Sequence, residues 1–211
     1  MICVSISEWQ QLAQVLDSGA DLLELRLDLI REDPERIFAL LKPGVLSLVT
    51  CRPGVFSESE NLHMLKTSMD LGAAYVDVEL ESTDSYLESI LEHARACQTK
   101  VILSYHNFEL TPERDELEIL LKRCYKRGGD LAKIAVQVNS PEDVKSLLNL
   151  YNLPGKKVVL GMGQLGRITR VMGPYLGAEF TFSAPGEGAE TAPGQLSYKQ
   201  LKGIYKVIDA S

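Results

Sequence analysis

Basic residues are the minority charge in this 211-residue chain: 22 Lys and Arg stand against 29 Asp and Glu, for a net charge of −7. General nucleic-acid binding needs a basic footprint, so that class is excluded. No apolar run approaches the ~18 residues of a membrane-crossing helix, and no membrane partner is expected. The opening Met1-Ile2-Cys3-Val4-Ser5-Ile6-Ser7-Glu8 has no basic stretch and turns polar too soon for a secretory signal. Cysteine is scarce. Cys3, Cys51, Cys97 and Cys124 form no C-x-x-C pair, so reduced and mostly buried thiols in a cytoplasmic protein are expected. His63, His93 and His106 show no H-E-x-x-H spacing, and no zinc site is expected. Linkers are also absent. At 45% hydrophobic and 24% charged residues, the composition suits one folded domain over residues 1–211 rather than a disordered chain.

What is present is alternation. Short β-rich runs are Ile2–Ser7, Leu22–Asp28, Val45–Thr50, Tyr75–Glu79, Val101–His106, Leu131–Val136, Val158–Met162 and Phe180–Phe182. Between them lie amphipathic segments: Ser7–Ser18, Asp33–Leu41, Ser57–Leu71, Ser85–Cys97, Thr111–Arg127, Ser140–Leu150, Leu165–Met172 and Ser197–Ile208. Several start on Ser, Thr or Asp followed by Pro, and several stop at Gly, which are helix-boundary signals. Strict strand–helix alternation implies a parallel sheet of the α/β class. Eight units predict a compact, single-domain (β/α)8 TIM barrel; an open doubly wound sheet is the competing architecture. Only Ser183–Gln195 is too rich in Gly, Pro and Ala to be an element.

Strands covered on both faces should be apolar, so their charged residues are informative. Glu24, Arg26 and Asp28 alternate in one run; Arg52 follows another; Asp77 and Glu79 alternate in a third. His106 ends a fourth and Lys133 interrupts a fifth. Most sit toward the C-terminal ends of their strands, the catalytic end of such a barrel. Glu24 and Arg26 alone read equally well as a structural ion pair. Lys133 is hardest to explain structurally, because lysine is almost never buried without a purpose.

A buried amine with cationic neighbours such as Arg26 or Arg52 favours its neutral form and attacks ketones to give an imine. The protonated imine is an electron sink that acidifies the adjacent C–H bond. A histidine near neutrality, His106, can shuttle that proton, with a carboxylate such as Asp77 orienting the ring. The arginines then suit an anionic or polyhydroxylated small molecule.

Gly161-Met162-Gly163-Gln164-Leu165-Gly166 has the form of a dinucleotide fingerprint. It comes too late in the chain and lacks the acidic residue at the end of the next strand. In a barrel the same glycines open an anion-binding loop, with Arg170 one turn further on, or merely a tight strand–helix turn. Other readings of the set are a different imine-forming barrel such as a class I aldolase, a nicotinamide oxidoreductase, and a non-catalytic metabolite-binding barrel.

Taken in order, the pieces resemble the type I 3-dehydroquinate dehydratases of the shikimate pathway over nearly the whole chain. They are Val4-Ser5, Glu24-Leu25-Arg26-x-Asp28, Thr50-x-Arg52, Asp77-x-Glu79 and Ser104-Tyr105-His106-Asn107-Phe108. The remainder are Ala132-Lys133-Ile134-Ala135, Met162-Gly163-x-x-Gly166-x-x-Thr169-Arg170, Thr181-Phe182 and Ala192-Pro193-Gly194-Gln195. The resemblance implies a barrel that is usually a homodimer and needs no metal or cofactor. It implies a lyase in which Lys133 forms an imine with 3-dehydroquinate, while His106 removes a proton and returns it to the departing hydroxyl. Glu24, Arg26 and Arg52 would meet the substrate's hydroxyl side, and Arg170 its carboxylate. Ser5, Met162 and Phe182 would line the pocket. Thr191, Ala192 and Gln195 would close over it from a loop that orders on binding. One departure stands out: the family commonly has Glu-Gly-Gly starting four residues after the strand-three arginine, where this chain has Phe56-Ser57-Glu58. Glu58, Glu60 or Asp77 is then expected to orient the histidine.

Overall fold

A β-strand turns alternate side chains to opposite faces, so a run such as Leu22-Leu23-Glu24-Leu25 can serve two environments at once. In the computed structural model, which describes residues 1–210, eight strands do this around a ring. They are β1 (Ile2–Ile6), β2 (Leu22–Arg26), β3 (Leu46–Thr50) and β4 (Tyr75–Glu79). The others are β5 (Lys100–Asn107), β6 (Leu131–Gln137), β7 (Lys157–Met162) and β8 (Thr181–Ser183). All neighbours pair in parallel, from β7 down to β1 in chain order, with β8 beside β1. The ring is nearly closed. Across the β7–β8 seam the Glu179 amide donates to the Lys157 carbonyl at 3.2 Å.

The helices are α1 (Trp9–Asp17), α2 (Leu27–Ile30), α3 (Pro34–Phe38), α4 (Glu58–Asp70) and α5 (Asp84–Cys97). They continue with α6 (Arg114–Lys126), α7 (Pro141–Asn149), α8 (Gly163–Met172) and α9 (Tyr198–Asp209). Ser57, Ser140 and Ser197 cap α4, α7 and α9 in reciprocal boxes, as the start signals suggested. Most ends shift by a residue or two, and two of the differences have a plain cause. Thr111 does not open α6, because its hydroxyl donates to the Gln137 carbonyl at 2.7 Å and cannot cap. The second run ends at Arg26 rather than Asp28, and the short α2 begins there.

Two cores follow from the alternation. Outward side chains such as Leu23, Val49, Val76, Leu103 and Ile134 pack under the helices. Inward side chains make a second cluster, including Leu22, Leu48, Tyr75, Ile102, Val158 and Phe180. Moving two residues along each inward face changes the chemistry. Leu22, Leu48, Tyr75, Ile102 and Leu131 give way to Glu24, Thr50, Asp77, Ser104 and Lys133, all buried. One step further lie Arg26, Arg52, Glu79 and His106 at the mouth. The barrel thus has an apolar floor, a polar middle and a charged rim.

The glycine-rich turn after β7 is a packing device. A Cβ on Gly166 would sit 2.3 Å from the Gly161 carbonyl carbon, so helix and strand touch backbone to backbone. Thr169 ties the same joint, accepting from the Gly161 amide at 2.8 Å and donating to the Gly166 carbonyl at 2.7 Å. Gly166→Ala should therefore destabilise the barrel by roughly 1–3 kcal/mol, the scale of overpacking. Gly203→Ala, in open space on α9, should instead stabilise it by about 0.5–1 kcal/mol. Urea unfolding midpoints of the two variants check both signs.

Candidate active site

The rim surrounds a cavity of about 350 Å³ at the C-terminal ends of the strands. Its walls carry four cations, Arg26, Arg52, Lys133 and Arg170, against two carboxylates, Glu24 and Glu79. Asp77 and Asp28, paired behind Lys133, Arg52 and Arg26, bring the charges into balance and leave Arg170 as the cation with no ion-pair partner among the described residues. Met162, Phe182, Leu160 and Ala135 give it an apolar side, and Phe108 and Pro53 border it. Thr191, Ala192 and Gln195 line it from the β8–α9 loop. That loop is seated by the Gly163 amide donating to the Pro193 carbonyl at 3.1 Å and by Thr191 donating to Gln195 at 2.8 Å. Because Pro193 takes this first amide of α8, the turn is not the dinucleotide cradle its spelling suggested.

Lys133 points inward from β6 and is 5% exposed. Its Nζ lies 2.8 Å from Asp77 Oδ2, 3.7 Å from Glu24 Oε1 and 4.3 Å from the Phe182 ring centroid. The expected environment of neighbouring arginines is therefore corrected: the amine's immediate partners are carboxylates, which hold it in an ion pair. Asp77 also accepts from the Ser104 hydroxyl at 2.6 Å and lies 3.3 Å from Arg52 Nη2. Burial alone would raise the Asp77 carboxyl; Arg52 and Lys133 outweigh it and hold the group far below the usual carboxylate range.

The imidazole has a different partner from the one expected. His106 Nδ1 is 3.2 Å from Glu79 Oε2, and Nε2 is 3.2 Å from Arg52 Nη2. A carboxylate only accepts and a guanidinium only donates, which assigns the ring proton to Nδ1 and the lone pair to Nε2. Glu79, not Asp77, orients the ring, because Asp77 lies one step deeper and is spent on Lys133 and Ser104. Glu60 is tied to Ser57 in the α4 capping box. Glu58 and Phe56 line a neighbouring cavity behind Arg52 with Asn61 and Tyr86. Burial and Arg52 push His106 below its ordinary value, partly opposed by Glu79. The ring is neutral at pH 7 and basic at Nε2.

Other expected residues fall into two groups. Ser5 does not line the cavity. It sits behind Glu24, donating to Oε2 at 2.5 Å while Thr50 donates to Oε1 at 3.0 Å. Burial would raise Glu24, but Lys133 and Arg26 keep it lowered. Glu24 and Arg26 are not the structural pair one reading allowed. Arg26 is gripped by Asp28 through two bonds, of 3.0 Å and 2.6 Å, after the chain turns into α2. Arg170, from the inner face of α8, is 1% exposed, and its Nε and Nη1 have no partner among the described residues. Burial lowers it to about 10, so it still carries its charge at neutral pH. A buried guanidinium without partners is a receptor for an anion. Sequence reasoning undervalued Glu79 and missed Ser104, although both lie on the alternating inward face that picked out Asp77 and His106.

The fold and site together define a (β/α)8 barrel enzyme with an ion-paired lysine, a neutral histidine and an anion-receptive arginine at one mouth. Comparison then gives the family. The chain matches the type I 3-dehydroquinase family model over residues 2–211, and it belongs to that family. It is 34% identical to the 3-dehydroquinate dehydratase of Methanocaldococcus jannaschii over 196 residues, covering 90% of this chain and 88% of the relative. The crystal structure of the Aquifex aeolicus 3-dehydroquinate dehydratase superposes with a TM-score of 0.86 at 28% identity, covering 98% of each chain. That of the type I enzyme from Clostridium difficile gives 0.87 at 25% identity, covering 99% of this chain and 92% of the other. The chain is thus a dehydratase of the shikimate pathway, a lyase.

The site's charge states generate a pH dependence. His106 is depressed in the folded state, so below its unfolded pKa near ~6.5 the unfolded chain binds more protons and stability falls. Asp77, Glu24 and Glu79 are also depressed. Their contribution is present above the unfolded carboxylate range near ~4 and is lost as pH falls through their folded values. Urea midpoints should therefore drop from pH 7 to pH 5.5, and His106→Asn should flatten that interval while leaving the acid loss below pH 4.

Proposed function

We propose that the reaction runs through an imine on Lys133, with His106 as the proton shuttle. The observation that carries this reading is the Lys133 amine, buried beside Asp77 and opening into the same cavity as His106 and Arg170. Arg170 meets the carboxylate of 3-dehydroquinate, which supplies the two lone-pair oxygens that its Nε and Nη1 require. This directs the ketone toward Lys133, while Glu24, Arg26 and Arg52 face the ring hydroxyls.

The ion pair does not forbid attack. An ammonium and a ketone give a protonated imine and water with no net gain or loss of protons. The amine needs only to lend a proton while its lone pair bonds to the carbonyl carbon, and that proton returns on the departing oxygen. His106 Nε2 then takes a proton from the neighbouring carbon. The C–H electron pair forms the enamine, and the iminium nitrogen accepts the displaced electrons. The reverse push expels the hydroxyl one carbon further, which leaves as water with the proton from His106. Water hydrolyses the remaining conjugated imine and frees Lys133. Glu79 keeps the imidazole in its useful tautomer and stabilises the transient imidazolium. A homodimeric, cytoplasmic enzyme acting without metal or cofactor belongs to the same proposal.

Three experiments test it. Borohydride added with 3-dehydroquinate should fix a covalent adduct on Lys133, read by peptide mass mapping; an adduct on another lysine, or none, removes the imine. His106→Ala should still be trapped but turn over ~100-fold more slowly, the scale of losing an acid–base group. Glu79→Gln removes a group that raises the imidazole. Its acid limb in kcat/KM should therefore move to lower pH, with kcat reduced; an unmoved limb would detach Glu79 from His106.

A further inference from the structure

At the opposite end of the barrel, we propose a metal site for zinc formed by Asp70, His93 and Cys97. Asp70 is the last residue of α4 and Cys97 the last of α5, with His93 one turn earlier on the same helix. His93 and Cys97 thus project from one helix face at a spacing of four. His93 Nε2 lies 2.9 Å from Asp70 Oδ1, and Cys97 Sγ lies 3.4 Å from the same oxygen. The three ligating atoms all fall within 4.8 Å of one another. Zinc bonds of ~2.0–2.3 Å in a tetrahedron put neighbouring ligand atoms roughly 3.3–3.7 Å apart. The triad is already near that size, and small side-chain rotations complete it.

Three further features favour a cation here. The set of one sulfur, one nitrogen and one oxygen suits zinc and its transition-metal neighbours, not magnesium or calcium. The carbonyl ends of two helices converge at the site, placing the negative poles of both helix dipoles beside the ion. Asp70 is exposed, and His93 and Cys97 are half-buried, so an ion reaches the site from solvent and keeps a water as its fourth ligand. Lys66 does not occupy the space, since its ammonium donates to Ser89 at 2.8 Å.

Binding replaces the two protons now shared with Asp70. The imidazole proton moves from Nε2 to Nδ1, freeing the Nε2 lone pair. The thiol proton leaves to solvent as sulfur bonds the metal, so one proton is released per ion. The result is a clamp between α4 and α5 on the face of the barrel that carries no chemistry. The histidine spacing alone excluded zinc; the third ligand comes from a helix more than twenty residues away in sequence, which spacing does not reveal.

Cobalt(II) serves as the probe, followed by zinc competition. Metal-stripped protein should take up one equivalent of cobalt with release of one proton and a thiolate-to-metal charge-transfer band, which zinc abolishes by displacing the cobalt with no further proton. Cys97→Ser should lose the band. His93→Ala should weaken zinc binding at least ~10-fold, the lower end seen even for groups behind the ligands. Zinc should raise the Tm of the native protein and raise that of either variant less at the same zinc concentration. Thermal scans in chelator, where all three proteins should melt alike, establish that the variants fold. No uptake at micromolar metal, no sulfur band, or uptake indifferent to both substitutions would overturn the site.

Discussion

An ammonium inside a ring of strands is stable only beside a carboxylate, and the 2.8 Å contact between Lys133 and Asp77 is the constraint that organises the mouth of this barrel. Stripping either ion of its partner would leave a charge whose desolvation costs several kcal/mol. Asp77 in turn cannot satisfy its oxygens on one amine, so Ser104 and Arg52 also attend it. Glu24, 3.7 Å from the same nitrogen, needs Ser5 and Thr50 for its own oxygens. One buried lysine thus fixes residue types on five other strands. The polar middle tier is the minimum that lets the amine be buried at all.

The same arrangement divides labour among three carboxylates that composition alone makes equivalent. Glu24 and Asp77 face the amine; Glu79, one step nearer the solvent, faces the imidazole. Depth, set by position along the strand, separates their partners and hence their roles. Arg52 links the two halves: it pairs with Glu79, accepts no proton from either side and donates to both Ser104 and His106. Its charge helps keep the imidazole neutral while holding Asp77 ionised. A shift in Arg52 is therefore felt by the imidazole and, through Asp77, by the amine together.

The barrel was legible because strand alternation, helix caps and element count all agreed, and consistency across levels is what specifies a fold. The charged residues were legible as exceptions on otherwise apolar strands. Partner choice was not. Alternation says that Asp77 and Glu79 both point inward, but not which of them reaches the height of His106 once the strands stagger around the ring. The register pairs Asp77 with Ile102 and Glu79 with Ser104, which lifts Glu79 toward the histidine. Asp28 misled for a related reason. The period of two continued past Arg26, while the backbone had already turned into α2, so a residue read as a third strand charge is a clamp on the second. Ser104 shared the inward face with His106 but suggested no role, since a small hydroxyl in a strand is unremarkable until its two neighbours are known.

Phe56 sharpens the physical role of Glu79. Where relatives are expected to carry a glutamate, this chain places an aromatic ring in a separate cavity behind Arg52. The imidazole then has a single carboxylate partner, and Arg52 occupies its other nitrogen. In the proposed reaction, Nε2 cannot take a proton from carbon while the guanidinium donates to it. Arg52 can withdraw at small cost, because Glu79, Ser104 and Asp77 remain as anchors for its other N–H groups. Withdrawal also lessens the positive field on the ring and so raises its basicity at the moment it is needed. In that reading an arginine that leaves one nitrogen without leaving the site frees the base with no movement of the strands that hold it.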